Sequence, residues 1–374
     1  WIGSMGVAVL VVWALTHEPS YTTAWLRGWL TSGVTVVVGS MLLKRVLPQL
    51  PRTVRVAVVI TVLVRLIAIT YPGFEGHDYL IHAKRLVFML EHQQITVLDY
   101  PYEFNRRPAL IVPLFYAASY LLKPLFGMSL AMHLVAVWAE TLSAVCVWLL
   151  FTRWQVAPRV ATLAAVILLA MPLSSAVLWW AFFPQIVAHF CLFGLMMSTA
   201  RRDMPGAWWA GVWCAAIAWA HIGEVLIAAV WYVCVRLYEP DRGTRAWWLR
   251  WIPVVIIPCS ALIVYIPYVQ LLLSHAPTPA ALPVAALDAR LAQIKEAFAV
   301  GFAPIPWWVL PVLWGVVWRQ AAQVARPWIV AVTAWLMVEL VSAYQVRYLY
   351  FALPLVALSM SVLLMPLWQR YRAG

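Results

Sequence analysis

The chain has 374 residues, 65% of them hydrophobic and only 11% charged, with a formal net charge of +12 at pH 7. An ordinary soluble domain carries about 25% charged residues, so this composition excludes a soluble protein and leaves little chain for a separate soluble domain. The basic excess would suggest nucleic acid in a soluble chain, but here it has to be sorted by membrane side first.

Residues 1–4 precede Met5 and read as a cloning remnant, and the apolar run 5–16 that follows has no basic flank and no small-residue cleavage site. That predicts a first span, not a signal peptide. Further apolar runs lie at 24–43, 56–71, 108–124, 128–151, 160–177, 181–199, 206–219, 222–237, 251–272, 305–318, 327–343 and 348–367. Lysines and arginines gather between them: Lys44, Arg45, Arg52 and Arg55, then Arg153 and Arg159, then Arg201 and Arg202. Arg236, Arg242, Arg245 and Arg250 follow, then Arg319 and Arg326, then Arg370 and Arg372. The positive-inside rule puts all of these on the cytoplasmic side only if 108–124 does not cross. That run is broken by Pro108, Pro113, Lys123 and Pro124, which suits a helix lying in the outer interface.

The expected fold class is therefore all-α, a polytopic integral membrane protein of about twelve transmembrane helices. It is multi-pass in an inner or plasma membrane, with both termini cytoplasmic. Two N-terminal spans fill 5–55, a transmembrane core fills 56–367 and a cytoplasmic tail 368–374, with exoplasmic segments at 72–127 and 273–304. Sixteen of the 26 basic residues fall in the cytoplasmic segments, opposed there only by Asp203, Glu239 and Asp241. The charge thus reports topology, and no nucleic-acid partner is expected. Five cysteines within apolar runs, none in a C-x-x-C pair, read as small buried hydrophobes. The Trp-Trp pairs at 179–180, 208–209, 247–248 and 307–308 flank span ends, as interfacial tryptophans do.

The segment 72–127 carries the densest polar cluster, and long ordered loops in compact proteins are usually functional. Pro72, Gly73 and Gly76 mark a turn out of the third span, and a helix is predicted from near His77. On it Asp78 and His82 share a face, and Leu80, Ile81, Leu86 and Phe88 supply an apolar flank. Asp78 reads either as a general base at the membrane surface or as a helix N-cap. Asp99, in Val97-Leu-Asp-Tyr-Pro-Tyr-Glu, is a second acid, or else a turn former. Glu75, His77, Asp78 and His82 are of metal-ligand type, at a spacing that matches no specific pattern.

Within spans, Arg65, Glu140, His189 and Glu339 are costly, and structural pairing is predicted, Arg65 with either glutamate. His221 and Glu224 sit at an exoplasmic turn, where they can line the same cavity as the acidic loop. Arg347 lies at the exoplasmic end of the last hairpin, against the positive-inside rule, and needs an anion. A buried carboxylate or a lipid phosphate would serve.

Four stretches together resemble the GT-C superfamily of polytopic membrane glycosyltransferases. They are the acidic loop Gly76-His-Asp-Tyr-x-x-His-Ala-Lys-Arg, the Leu98-Asp-Tyr-Pro element, the proline-bearing helix 108–124 ending near Leu-Phe-Gly, and the closing Arg347-Tyr-Leu-Tyr-x-x-Leu-Pro-Leu hairpin. The second is similar to the Leu-Asp-Tyr-Pro-Pro element of the glucosyltransferases that extend the N-glycan precursor, with Tyr102 in place of the second proline. The likeness covers about 56–367, and two apolar runs precede it.

The resemblance implies an enzyme that moves a sugar from a polyprenyl-phosphate carrier to a hydroxyl of a lipid or glycan acceptor, with inversion, on the exoplasmic face. It makes Asp78 or Asp99 the catalytic base. The substrate-binding set expected around them is His77, His82, Lys84, Arg85, Arg106, Arg107, His221, Glu224, Tyr344 and Arg347. The partners are the lipid-linked donor, the acceptor and membrane lipids, and no cofactor is implied. A metal-dependent oligosaccharide transferase of the same fold, holding a divalent ion on Glu75, His77 and Asp78, is one alternative. A lipid or glycolipid transporter is another, and would predict internal repeats and paired broken helices. The amphipathic stretch 287–298 is placed to cover the site from the second exoplasmic loop.

Overall fold

A computed structural model of the chain describes residues 21–69, 76, 78–93, 97–98, 109–267, 269–270, 292, 311, 314–315, 317–318, 326–334 and 350–373. Within these the protein is a bundle of helices with one two-residue antiparallel ladder. In chain order the helices are α1 Tyr21–Val46, α2 Arg52–Ile69, α3 Tyr79–His92, α4 Pro113–Phe126, α5 Met128–Arg153, α6 Pro158–Ala170 and α7 Pro172–Trp179. They continue as α8 Phe183–Thr199, α9 Met204–Ala220, α10 Ile222–Leu237, α11 Arg245–Leu249, α12 Trp251–Leu262 and α13 Leu353–Ala373. The ladder, β1 Val97–Leu98 with β2 Ala109–Leu110, pairs Leu98 with Ala109.

Among the described residues, three stretches are long and apolar enough to cross a membrane: Met128–Arg153, Pro158–Trp179 and Tyr350–Leu367. The expected spans 5–16 and 305–318 and the loop 273–304 lie wholly or largely outside the described residues. The run 108–124 becomes β2 and α4, and fourteen residues of helix reach only about 21 Å, short of the roughly 30 Å hydrocarbon core. Its Phe115, Tyr116 and Ser119 are buried along α5, while Leu121 and Leu125 face outward.

Prolines start many of these helices. Pro113, Pro158, Pro172, Pro184 and Pro205 each stand in a first turn, where the missing N–H costs nothing and φ is already helical. Pro172 does more, because it splits the expected single span 160–177. It disfavours helical geometry at Met171, which is extended at ψ 132, so α6 ends there and α7 begins. The backbone carbonyl of Leu169 is thereby released from the helical ladder toward the bundle interior.

Helix α8 is the axis of the bundle. It is buried on nearly every side, against α5, α9 and α10, as expected for a helix that is apolar all round. Glycines set two close approaches: a Cβ on Gly194 would meet the Trp213 ring at 2.5 Å, and one on Gly211 would meet the Pro253 carbonyl oxygen of α12 at 2.5 Å. Small residues at helix contacts are how membrane helices approach closely without a hydrophobic driving force.

Three of the basic loops assigned to one side, those at Arg153, Arg202 and Arg250, meet at one end of the bundle. Arg153 donates to the Met197 carbonyl at 3.0 Å and Arg250 to the Arg202 carbonyl at 2.5 Å. Arg236 and Arg250 both bind Glu239, at 2.5 and 3.2 Å, and Arg250 also binds Asp241 at 2.5 Å. Burial pushes the Glu239 carboxyl above its ordinary range, against the pull of the two guanidinium groups. Several of the topology-marking arginines are therefore internal ties. Most interfacial tryptophans fit expectation, Trp179, Trp208, Trp209 and Trp248 being exposed, but Trp247 is buried and donates to the Arg236 carbonyl. Cys146, Cys191 and Cys234 are buried as expected, whereas Cys259 is exposed on α12.

Gly211→Val drives a branched side chain into backbone and separates α9 from α12. The expected loss is about 1–3 kcal/mol, read as a lower thermal midpoint of the detergent-solubilised protein. Asp203 caps α9 by accepting from the Gly206 amide at 2.8 Å, and its hydrogen bond from Arg201 holds its carboxyl below the ordinary range. Asp203→Ala should cost about 1 kcal/mol and Asp203→Asn much less. Because the folded-state value is the lower one, this contribution is full above the unfolded pKa of about 3.9 and is lost as pH falls through the folded value. Thermal scans of the Asp203→Ala variant and parent should converge on acidification.

Candidate functional site

Two polar centres stand out among the described residues. The first is the head of the acidic loop. Gly76 is buried, and a Cβ there would lie 2.7 Å from that of Ala181, so the backbone at Gly76 is pressed against the α7–α8 turn. The Asp78 amide donates to the Trp180 carbonyl at 3.1 Å. His82, one turn into α3, is buried and has both ring nitrogens engaged. Nε2 donates to the Ala181 carbonyl at 2.9 Å, so in the neutral ring Nδ1 accepts from the Tyr116 hydroxyl at 2.7 Å. Tyr79 stacks on His133 of α5, with ring centroids 5.2 Å apart.

Asp78 thus starts α3, as its sequence position implies, but its side chain caps no amide of that helix. The carboxylate is half-buried beside a fixed backbone. The expected shared face of Asp78 and His82 resolves into different roles, since His82 is a clamp between α3, α4 and the α7–α8 turn. The inner face of α3 is His82, Leu86 and Met89, and Leu80 of the expected apolar flank points outward. Lys84 is exposed and Arg85 half-buried.

Asp99, Arg106 and Arg107 lie outside the described residues, as do Glu75, His77, Glu339, Tyr344 and Arg347. The residues that bracket the first three are nevertheless partners, because the β1–β2 ladder pairs Leu98 with Ala109. A divalent ion would need His82 to surrender one of two short hydrogen bonds, and no group of three His, Cys, Asp or Glu placed to hold a metal occurs among the described residues.

The second centre is inside the bundle. Arg65 of α2 forms an ion pair with Glu140 of α5, which resolves its expected pairing with one of two glutamates. The same guanidinium donates to Thr141 at 3.2 Å, to Ser174 at 2.5 Å and to the freed Leu169 carbonyl at 3.4 Å. Ser174 in turn donates to Glu140, and the Tyr350 hydroxyl donates to Glu140 at 3.1 Å. The Tyr350 ring stands perpendicular to His189, 4.2 Å between centroids.

His189 faces Glu224, and the Gln185 amide donates to the other Glu224 oxygen at 3.1 Å. Glu224 is fully buried and turned toward α8, so it belongs with this interior centre. His221 stands at the N-terminal boundary of α10 beside it, without a side-chain capping bond. Sequence reading found Arg65, Glu140 and His189 as costly residues within spans but not their connection, and it placed Glu224 with His221 at an exoplasmic turn. Thr141, Ser174, Gln185 and Tyr350 were missed, although Pro172 announced the break that Ser174 borders and Gln185 is a lone amide in an apolar helix.

Breaking a buried pair on one side leaves an uncompensated charge and costs about 3–5 kcal/mol. Arg65→Met should therefore lower the thermal midpoint strongly. The double variant Arg65→Met/Glu140→Leu should melt above Arg65→Met alone, as measured by thermal unfolding in detergent. No known protein family matches the chain, and no curated protein is similar to it.

Proposed function

We propose that this chain is an inverting membrane glycosyltransferase, of the kind its motifs resemble, that transfers a sugar from a polyprenyl-phosphate carrier to a hydroxyl acceptor. The reading includes about twelve spans, cytoplasmic termini and an exoplasmic active site over 72–127. The observation that supports it best is Asp78. The simplest structural reason for an acid at a helix start is to cap it, and the Asp78 side chain does not. Its backbone is instead tied to the Trp180 carbonyl, and the helix behind it is pinned by His82. A carboxylate presented from so firm a base is suited to proton abstraction, since position has to be held to a fraction of an ångström.

In the reaction, the carboxylate takes the acceptor hydroxyl proton as the acceptor oxygen attacks the anomeric carbon. The bond from that carbon to the phosphate oxygen breaks on the opposite face, and polyprenyl phosphate leaves with the electron pair. Arg347, Arg106, Arg107 and Lys84 are the cations available to stabilise the leaving phosphate. Asp99 is the rival base, in the sequence segment that the Leu98–Ala109 pairing brackets.

A transporter of lipid or glycolipid is the second reading. The buried polar centre beside the Met171–Pro172 break favours it, because discontinuous helices line binding sites in transporters.

Purified protein reconstituted with polyprenyl-phosphate sugars and a lipid extract separates these readings. If Asp78 is the base, Asp78→Asn lowers transfer about 10²–10⁴-fold while Asp99→Asn stays within a few-fold of the parent. The reverse pattern identifies Asp99. Transfer by both variants at the parental rate overturns the mechanism. Abolition by chelator alone identifies the metal-dependent alternative, and lipid movement without a new glycosidic bond identifies the transporter.

A further inference from the structure

The end of the bundle where Arg153, Arg202 and Arg250 meet carries more positive charge than its fold uses. The α8–α9 loop and the stretch 236–250 together hold six arginines, Arg201, Arg202, Arg236, Arg242, Arg245 and Arg250, against three acids, Asp203, Glu239 and Asp241. Each acid is already in use. Glu239 is buried between Arg236 and Arg250, Asp241 is bound by Arg250, and Asp203 caps α9 while pairing with Arg201. Arg236 and Arg250 are themselves buried, so releasing Glu239 to the surface would strand two guanidinium groups away from water. That leaves Arg202, Arg242 and Arg245, all exposed, with no carboxylate paired to any of them among the described residues.

These three belong to one patch. Arg250 donates to the Arg202 backbone carbonyl at 2.5 Å and so joins the α8–α9 loop to the chain after α10. There the Arg242 amide donates to the Glu239 carbonyl at 3.3 Å and the Thr244 amide to the Asp241 carbonyl at 3.1 Å, with Gly243 turning the backbone at φ 86°. Thr244 then caps α11 by accepting from the Trp247 amide at 3.1 Å.

The surroundings of the patch identify what it meets. Helices α9 and α12, in close approach at Gly211 and Pro253, leave Trp209, Val212, Val255 and Ile256 exposed, and α11 exposes Trp248. Cations adjoining an apolar flank set with tryptophans have the composition of the level where bilayer hydrocarbon gives way to headgroups, whereas a site for a soluble polyanion needs no such flank. From that level a guanidinium reaches outward on its own stem to phosphate. We propose that Arg202, Arg242 and Arg245 form a docking surface for anionic phospholipids, gripping the phosphate through forked hydrogen bonds and selecting by net charge. A zwitterionic lipid offers the same phosphate with an ammonium beside it, so only a lipid of net negative charge neutralises the three arginines. The patch lies at the far end of α8 from the carbonyls that hold Asp78 and His82, and the inference is independent of the glycosyltransferase reading.

The test uses the full chain in phosphatidylcholine vesicles carrying a trace of spin-labelled lipid, either phosphatidylglycerol or phosphatidylcholine. Electron spin resonance gives the share of each that the protein immobilises. The parent should favour phosphatidylglycerol about two- to fivefold at low salt, and the preference should shrink in ~1 M salt, where the Debye length is only about 3 Å. The variant Arg202→Gln/Arg242→Gln/Arg245→Gln should lose at least about half of that preference without a change in thermal midpoint, because the carbonyl that Arg250 needs belongs to the backbone and survives the substitution. Phosphatidylglycerol with a photoreactive headgroup, crosslinked to the parent, should label peptides from 200–209 and 239–249. Equal immobilisation of the two lipids, a variant that keeps the parental preference, or labelling confined to other segments overturns the proposal. The crosslinking map needs no substitution, so it decides the matter even if the triple variant does not fold.

Discussion

The bundle is organised around the need to keep a guanidinium and a carboxylate together away from water. Arg65 and Glu140 sit on separate helices, and either one alone would be several kcal/mol out of place. Pairing does not exhaust their hydrogen-bonding capacity, so further groups are drawn in. Thr141, Ser174, the Leu169 carbonyl and Tyr350 supply donors and acceptors from α5, from both sides of the α6–α7 break and from the start of the last span. The broken helix is thus part of the same solution. Irregular backbone is tolerated at membrane depth where protein satisfies it, and here Arg65 does so.

The acidic loop solves a different problem, that of fixing an amphipathic segment to the end of a bundle. His82 uses both nitrogens for that purpose, joining α3 to α4 and to the α7–α8 turn. A histidine so engaged holds position and has no nitrogen left for a substrate, whereas Asp78, four residues earlier, has a carboxylate that its own helix does not consume. Position and chemistry are divided between two residues that look equivalent in the sequence.

How much of this could be read beforehand depended on the range of the interaction. Helix starts were legible, because proline in a first turn acts locally, and so was the shortness of the helix in 108–124, because Pro113 sets where it begins. That Arg153, Arg202 and Arg250 gather at one end of the bundle was legible from loop charge. The break at Met171–Pro172 was overlooked because hydropathy runs straight through it. Interior partnerships were legible only as a debt: an Arg in a span requires an anion, but which glutamate answers depends on how α2 packs against α5. The enclosure of Glu224 could not be seen either, since a residue at a turn reads as exposed until the neighbouring helix is known to cover it.

Helix α7 is only eight residues long, about 12 Å from end to end. Its first turn holds Ser174, bound to Arg65 and Glu140, and just past its last turn the Trp180 and Ala181 carbonyls receive the Asp78 amide and the His82 ring. One short rod therefore has its foot in the buried charges and its tip beneath the loop. The buried charges and the head of α3 rest on a single support, and a change in the length of α7 would shift one against the other.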